Sequence, residues 1–285
     1  MIRLPGPDSV AGRLLRTPRA MFGFLVILLV AFSAGFAEHL IPYDTEEMDF
    51  DALLGGISAA HPFGTDQLGR DMLSRLILGA RVAMEVSIGA VGLGVAMGVP
   101  IGLAAAIIGG WFDDITMRVM DAVVVFPSLL VAVALAAALG NSLGTVILAI
   151  GLANVPWLAR IVRGQALGLR ELDFVAAAEV AGTTTLRIMT RHILPNCLAP
   201  VIVQTTLGMG YAVLTEAALG FIGVGIQPPT PTWGNMLQAA FPMLEQHPLL
   251  SVVPGVAIFV LVLAFNLLGD ALRDILDPRL RGVVR

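Results

Sequence analysis

The side chains able to do chemistry are few and scattered. His39, His61, His192 and His247 fall in different loops and flanks, and none has the spacing of a metal ligand set. Cys197 is the single cysteine, so it has no partner for an internal disulfide and reads as a small packing residue. No Ser–His–Asp set or carboxylate pair can be assembled, so no catalytic residue and no metal ligand is assigned. All 17 basic residues are arginine. A GxxxxGK[ST] phosphate loop needs its lysine on the β/γ-phosphates, so this chain cannot carry one. Schiff-base chemistry is excluded by the same absence. The chain is not expected to be an enzyme; if ATP drives its work, another subunit hydrolyses it.

What remains is polar groups in apolar surroundings. Hydrophobic residues make up 57% of the 285 and charged residues only 13%, with a mean hydropathy of +0.87. Soluble domains average roughly 25% charged residues, so too little polar surface is left to keep a compact chain in water. A lipid bilayer is the solvent that fits. The net charge of −4 gives no reason to expect nucleic acid as a partner. Polar residues inside a bilayer are costly, and each is a functional candidate. Glu216 is the clearest, as the one well-embedded acid; it either lines a cargo path or hydrogen-bonds a neighbouring helix. Gln204 and Asn266 are further candidates for a pathway. Thr205 and Thr206 have hydroxyls able to bond back to their own helix. Asn266 and Asp270 sit beside Arg273 and Asp274, where a charged interface network is expected, and Asp113, Asp114, Arg118 and Asp121 form a second cluster.

The elements that hold these groups are six apolar stretches of about the 20 residues a spanning helix needs. They cover residues 21–40, 82–108, 119–139, 143 to about 161, 199–224 and 251–268. The first is longer than the apolar run of a signal peptide and is expected to be retained. Asn154 and Pro156 interrupt the fourth, and Pro100 and Pro156 predict kinks. Gly94, Gly98 and Gly102 form a small-residue stripe that lets a second helix approach closely. Orientation follows from arginine placement. A cytoplasmic N-terminus puts Arg3, Arg13, Arg16, Arg19, Arg118, Arg160, Arg163, Arg170, Arg187, Arg191, Arg273, Arg279, Arg281 and Arg285 inside. It leaves only Arg70, Arg75 and Arg81 outside. Both termini are therefore expected in the cytoplasm.

Two loops exceed mere connectors. The outer one spans about residues 41–81. The inner one, about 162–198, predicts a short helix over 171–181, a break at Gly182, and a second helix capped by Thr183 and ending before Pro195. It is too polar to span. From its residues alone it fits an amphipathic helix on lipid headgroups or a docking element for a soluble partner, with a slight preference for the lipid surface.

Several long segments then resemble one family: permease subunits of the dipeptide/oligopeptide/nickel group of ABC importers, of the "C" type. They are HPFGTDQLGRDMLSRLILGAR at 61–81, GGWFDDITMRVMD at 109–121, GFIGVGIQPPTPTWGNML at 220–237 and AFNLLGDALRDILDPRLR at 264–281. The inner loop, with Gly182 and His192–Ile193–Leu194–Pro195–Asn196, resembles the "EAA" loop that docks on the ATPase. One departure stands out. Aligned on Gly182, Glu-Ala-Ala falls on Ala176–Ala177–Ala178; the glutamate is missing, and Glu179 lies nearly one turn further on.

The resemblance implies an all-α, type I importer permease fold in the bacterial inner membrane. Its parts would be an N-terminal tail, first helix and outer loop (1–80), a permease core (81–270) with a coupling loop (about 164–198), and a cytoplasmic tail (271–285). It implies a homologous second permease sharing the pathway, one or two ABC ATPase subunits holding ATP and Mg, an extracytoplasmic substrate-binding protein, and surrounding lipid. No cofactor is expected on this chain. Glu171, Asp173, Ala176, Ala177, Ala178, Glu179, Gly182, Arg187, His192 and Pro195 would form the ATPase-coupling loop, which reverses the preference for a lipid-surface helix. The cargo would be peptides or similar small solutes. The rival classes are a self-sufficient ion-coupled transporter or channel, for which no internal repeat is evident, and an assembly or sensor subunit.

Overall fold

A computed structural model describes residues 10–276. Arg3, Arg279, Arg281 and Arg285, which enter the orientation argument, lie outside the described residues, as does the tail from 277 onward. The described residues form helices joined by loops, the longest over 41–71, with one isolated bridge between Thr65 and Asp71. In chain order the helices are α1 (Val10–Arg16), α2 (Pro18–Gly35), α3 (Ala37–Leu40), α4 (Met72–Ile108), α5 (Gly110–Val125) and α6 (Ser128–Leu139). There follow α7 (Leu143–Arg170), α8 (Asp173–Val180), α9 (Thr185–Ile188), α10 (Leu194–Ile222), α11 (Trp233–Ala240) and α12 (Leu249–Leu276). Among the described residues five helices are long and apolar enough to span a bilayer, and six if α5 and α6 count as one bent span.

Three expected spans change shape. The second begins at Met72 rather than residue 82, because Asp71 caps it by accepting the Ser74 N–H. Two of the arginines assigned to the outer loop, Arg75 and Arg81, lie on the helix and are satisfied there. Arg81 pairs with Glu38 at 2.7 Å, and Arg75 donates to the Thr45 carbonyl at 3.1 Å. The third span is two helices meeting at 86°. Pro127 is the cause, since it drives the preceding Phe126 to extended backbone, φ −79° and ψ 122°. The fourth is not interrupted. Helix α7 runs to Arg170 with Pro156 inside it, and the Asn154 amide donates back to the Ile150 carbonyl at 2.9 Å.

The bundle is built on α4 against α7. A Cβ at Gly102 would sit 2.3 Å from the Ala159 carbonyl oxygen, and one at Gly98 2.9 Å from that of Val155, so the small-residue stripe is the surface along which α7 approaches α4. Helix α12 lies between α10 and α2, with Leu261, Phe265 and Val213 in their shared core.

Charge placement differs from expectation. Asp113 takes a two-pronged pair from Arg163 and Asp121 pairs with Arg160, so both bind α5 to α7 rather than clustering with Arg118. Asp274 pairs with Arg19 at 2.7 Å, joining α2 to α12. Among the described residues no ion pair engages Asp270 or Arg273, so of the network expected around Asn266 only Asp274 is paired, with Arg19.

Candidate functional site

The candidate site is an elbow, residues 171–195, at one end of the bundle. Helix α7 delivers the chain to it, and the Arg170 guanidinium donates to the Ala106 carbonyl in the last turn of α4, where the helix dipole favours a cation. Leu172 is extended (φ −86°, ψ 144°) and starts α8. That helix ends in a Schellman motif: the Gly182 N–H donates to the Glu179 carbonyl and the Thr183 N–H to Ala178. Gly182 sits at φ +75°, as the motif requires of its left-handed residue. The break predicted at Gly182 is therefore present.

The second half of the elbow corrects two expectations. Thr184, not Thr183, occupies the N-cap of α9, and without a side-chain bond. Nor does the second helix end before Pro195. It widens into a π-helical turn over Met189–Ile193 and runs straight into α10. The Leu194 N–H reaches the Met189 carbonyl, five residues back. That wider turn is where the missing N–H and bulky ring of Pro195 are accommodated.

One face of the elbow is fastened to the bundle. Val175, Ile188 and Ile193 are buried against Leu103 and Ala106 of α4 and Val162 and Ala166 of α7. Phe174 lies 6.5 Å from the His192 ring, joining the two arms. The other face is uncovered. Glu171, Asp173, Ala176, Ala177, Glu179, Gly182, Arg187 and Pro195 are exposed, and Ala178 and His192 half-buried. Among the described residues no ion pair engages Glu171, Asp173, Glu179 or Arg187. Leu172, Phe174, Leu186 and above all Val180, 92% exposed, stand among them. Apolar anchors ringed by uncommitted charges have the make-up of a docking surface. Ala176 and Glu179 share the exposed surface of one short helix.

The three intramembrane candidates do not converge. Asn266 is exposed on α12, its amide donating to Val262 at 2.9 Å. Gln204 lines a cavity between α6, α7 and α10, while Thr205 and Thr206 bond back to the Ile202 carbonyl. Glu216 is 1% exposed, its carboxyl lies beside the Thr232 side chain, and among the described residues its Oε1 has no hydrogen-bond partner. Thr232 and Asn235 form the capping box of α11, so Glu216 sits beneath the start of that helix. Glu216→Gln keeps the shape and an acceptor for Thr232, and is expected to change stability by no more than about 1 kcal/mol. Thermal unfolding of the purified protein measures it; failure of this variant to assemble would make the negative charge itself structural.

Sequence reasoning missed a polar cap at the opposite end of the bundle. Asp66 receives the Arg70 side chain at 2.8 Å and the Leu68 and Arg70 N–H groups. Asp71 receives the Ser74 N–H and hydroxyl, each at 2.7 Å. The signal was available, because Asp71 and Ser74 at N-cap and N3 spacing mark a helix start.

The residues 98–282 match the family described as "Binding-protein-dependent transport system inner membrane component". Residues 9–58 match the N-terminal transmembrane domain of oligopeptide transport permease C. The glutathione transport system permease protein GsiD of Pectobacterium atrosepticum is 40% identical over 271 residues, 95% of this chain and 90% of that one. GsiD of Escherichia coli O1:K1 is 41% identical over 95% of this chain and 89% of its own. Among solved structures, an inward-facing MetNI methionine ABC transporter chain shares the fold. Its TM-score is 0.58 at 17% identity, covering 75% of this chain and 98% of that one. This chain thus belongs to the binding-protein-dependent transport system inner membrane components, as a multi-pass permease subunit that forms the translocation pathway of an ABC importer.

Proposed function

We propose that the elbow is where this subunit receives the motion of a partner ATPase, and that the cargo is glutathione or other small peptides. Two homologous permeases share the pathway, each with its elbow on an ABC ATPase that holds the ATP and Mg. A binding protein delivers cargo from the opposite side of the membrane. The elbow lies in the cytoplasm together with both termini, a placement that the arginine distribution supports. The observation that carries the reading is the construction of the elbow. Three buried side chains fix it to α4 and α7, while among the described residues the charges on its outer face, Glu171, Asp173, Glu179 and Arg187, make no ion pair. A force on that face is passed directly to two membrane helices. The cargo class rests on the GsiD relatives, whose names specify glutathione transport.

The test is purification with native partners and reconstitution into liposomes. An ABC ATPase should copurify, and Glu179→Cys should cross-link to it. Uptake of radiolabelled glutathione or dipeptides should require ATP inside and the binding protein outside. Uptake by this chain alone, without an ATPase, would sink the proposal.

A further inference from the structure

A cavity of about 500 Å³ opens between α6, α7 and α10. Its walls include Phe126 and Pro127 at the α5–α6 bend, Asn154 and Trp157 on α7, and Gln204 and Tyr211 on α10. Two features separate it from an ordinary lipid-facing groove. First, Asn154 and Gln204 bring amides from two different helices into one concavity. The Asn154 amide nitrogen bonds the Ile150 carbonyl, and among the described residues neither its Oδ1 nor the Gln204 amide has a partner. Counting about 1.5 Å per residue, each lies about 15 Å from the start of its helix, within an apolar span. Lipid tails cannot satisfy an amide at that depth, so such groups face a wet cavity or a polar solute. Second, among the described residues no Asp, Glu, Lys, Arg or His lines the space. An apolar wall with a few convergent neutral polar groups is the make-up of a small-molecule site, and the volume falls in the usual range.

We propose that Asn154 and Gln204 form this subunit's cargo-contacting site, taking the backbone amides of a small peptide. The assignment rests on the importer reading above and names the solute chemistry for its pathway. An amide both donates and accepts, as a peptide group does, so the pair reads the backbone. Without fixed charge, the wall neither traps nor repels side chains of either sign, and aromatic and aliphatic surfaces complete the contact. The site passes peptides by their backbone and leaves selection among them to the protein that delivers them.

The complex, reconstituted with its ATPase, second permease and binding protein, tests this in two ways. Gln204→Cys, in a Cys197→Ala background, should react with a charged, membrane-impermeant thiosulfonate, and the rate should change between nucleotide-free and ATP-trapped states. Reaction only with a lipid-soluble maleimide would place Gln204 against lipid, and no reaction in either state would place it in a helix interface. Either result overturns the assignment, and neither touches the importer reading. In the second arm, Gln204→Leu should lower glutathione or dipeptide moved per ATP about tenfold, the worth of one hydrogen bond at the upper end of its range, with Gln204→Asn recovering part of it. Unaltered transport by the leucine variant also overturns the assignment. Absence of ATP-dependent uptake by the unsubstituted complex would instead remove the importer reading beneath it.

Discussion

Replacing Gly182 with valine is expected to lower ATP-driven uptake about thirtyfold, with a smaller fall in ATP hydrolysis. Gly182 occupies φ +75°, and a β-branched residue held there costs about 2 kcal/mol. Apart from its two chain neighbours, no atom of the described residues lies within 4 Å of where its Cβ would stand, so the penalty is backbone strain and not a clash with another part of the chain. The strain is relieved by opening the Schellman turn, which changes the angle between α8 and α9. If docking needs the native angle, its population falls by the same 2 kcal/mol, about thirtyfold. Asparagine tolerates left-handed backbone far better, so Gly182→Asn should retain most of the uptake. Parallel assays of uptake and hydrolysis in liposomes decide the matter. Equal losses in both variants would show that side-chain bulk against the partner matters, and not the backbone.

How much of this was legible in the sequence varied with the kind of signal. Apolar runs located five spans and the bent α5–α6 pair, because hydropathy over about 20 residues is a strong cue, and Gly182 was found because little but glycine suits a Schellman turn. Helix ends were poorer. Arg75 and Arg81 looked like loop residues because their partners, Thr45 and Glu38, lie 30 and 43 residues away, and no local pattern announces a distant carbonyl or carboxylate. Pro195 looked like a stop because a proline normally ends a helix, whereas the π turn before it gives the ring room. Asn154 looked like a helix breaker and is a helix residue whose free oxygen faces a cavity. Only the packing of α7 on α10 brings it to one cavity with Gln204, with Phe126 and Pro127 of the α5–α6 bend on a further wall. The docking role proposed for the elbow rests mainly on resemblance, since the residues alone slightly favour a lipid surface.

Asp71→Ala is expected to destabilise the protein by about 3 kcal/mol, enough to lose much of the folded population. The carboxylate is 2% exposed and accepts the Ser74 N–H, the Ser74 hydroxyl and His61 Nδ1, at 2.7, 2.7 and 2.9 Å. As N-cap of the 37-residue α4 its removal costs about 1 kcal/mol, and the remaining donors, stranded out of water, add about 1–3 kcal/mol. The damage spreads, because the Ser74 hydroxyl that Asp71 orients also receives the Tyr43 N–H at 3.2 Å. Tyr43 in turn stacks on His61, with ring centroids 4.8 Å apart. One carboxylate thus fastens the residues 43–61 to the start of the helix on which α7 packs. Asp71→Asn keeps a capping acceptor and should cost less than half as much. His61→Phe preserves the stack on Tyr43 and removes a single bond, for about 1 kcal/mol. Thermal unfolding in detergent should rank the losses Ala, then Asn and Phe together. An alanine variant with undiminished stability but no uptake would move Asp71 from holding the cap to receiving the binding protein, because a purely structural role cannot lose transport while the fold survives intact.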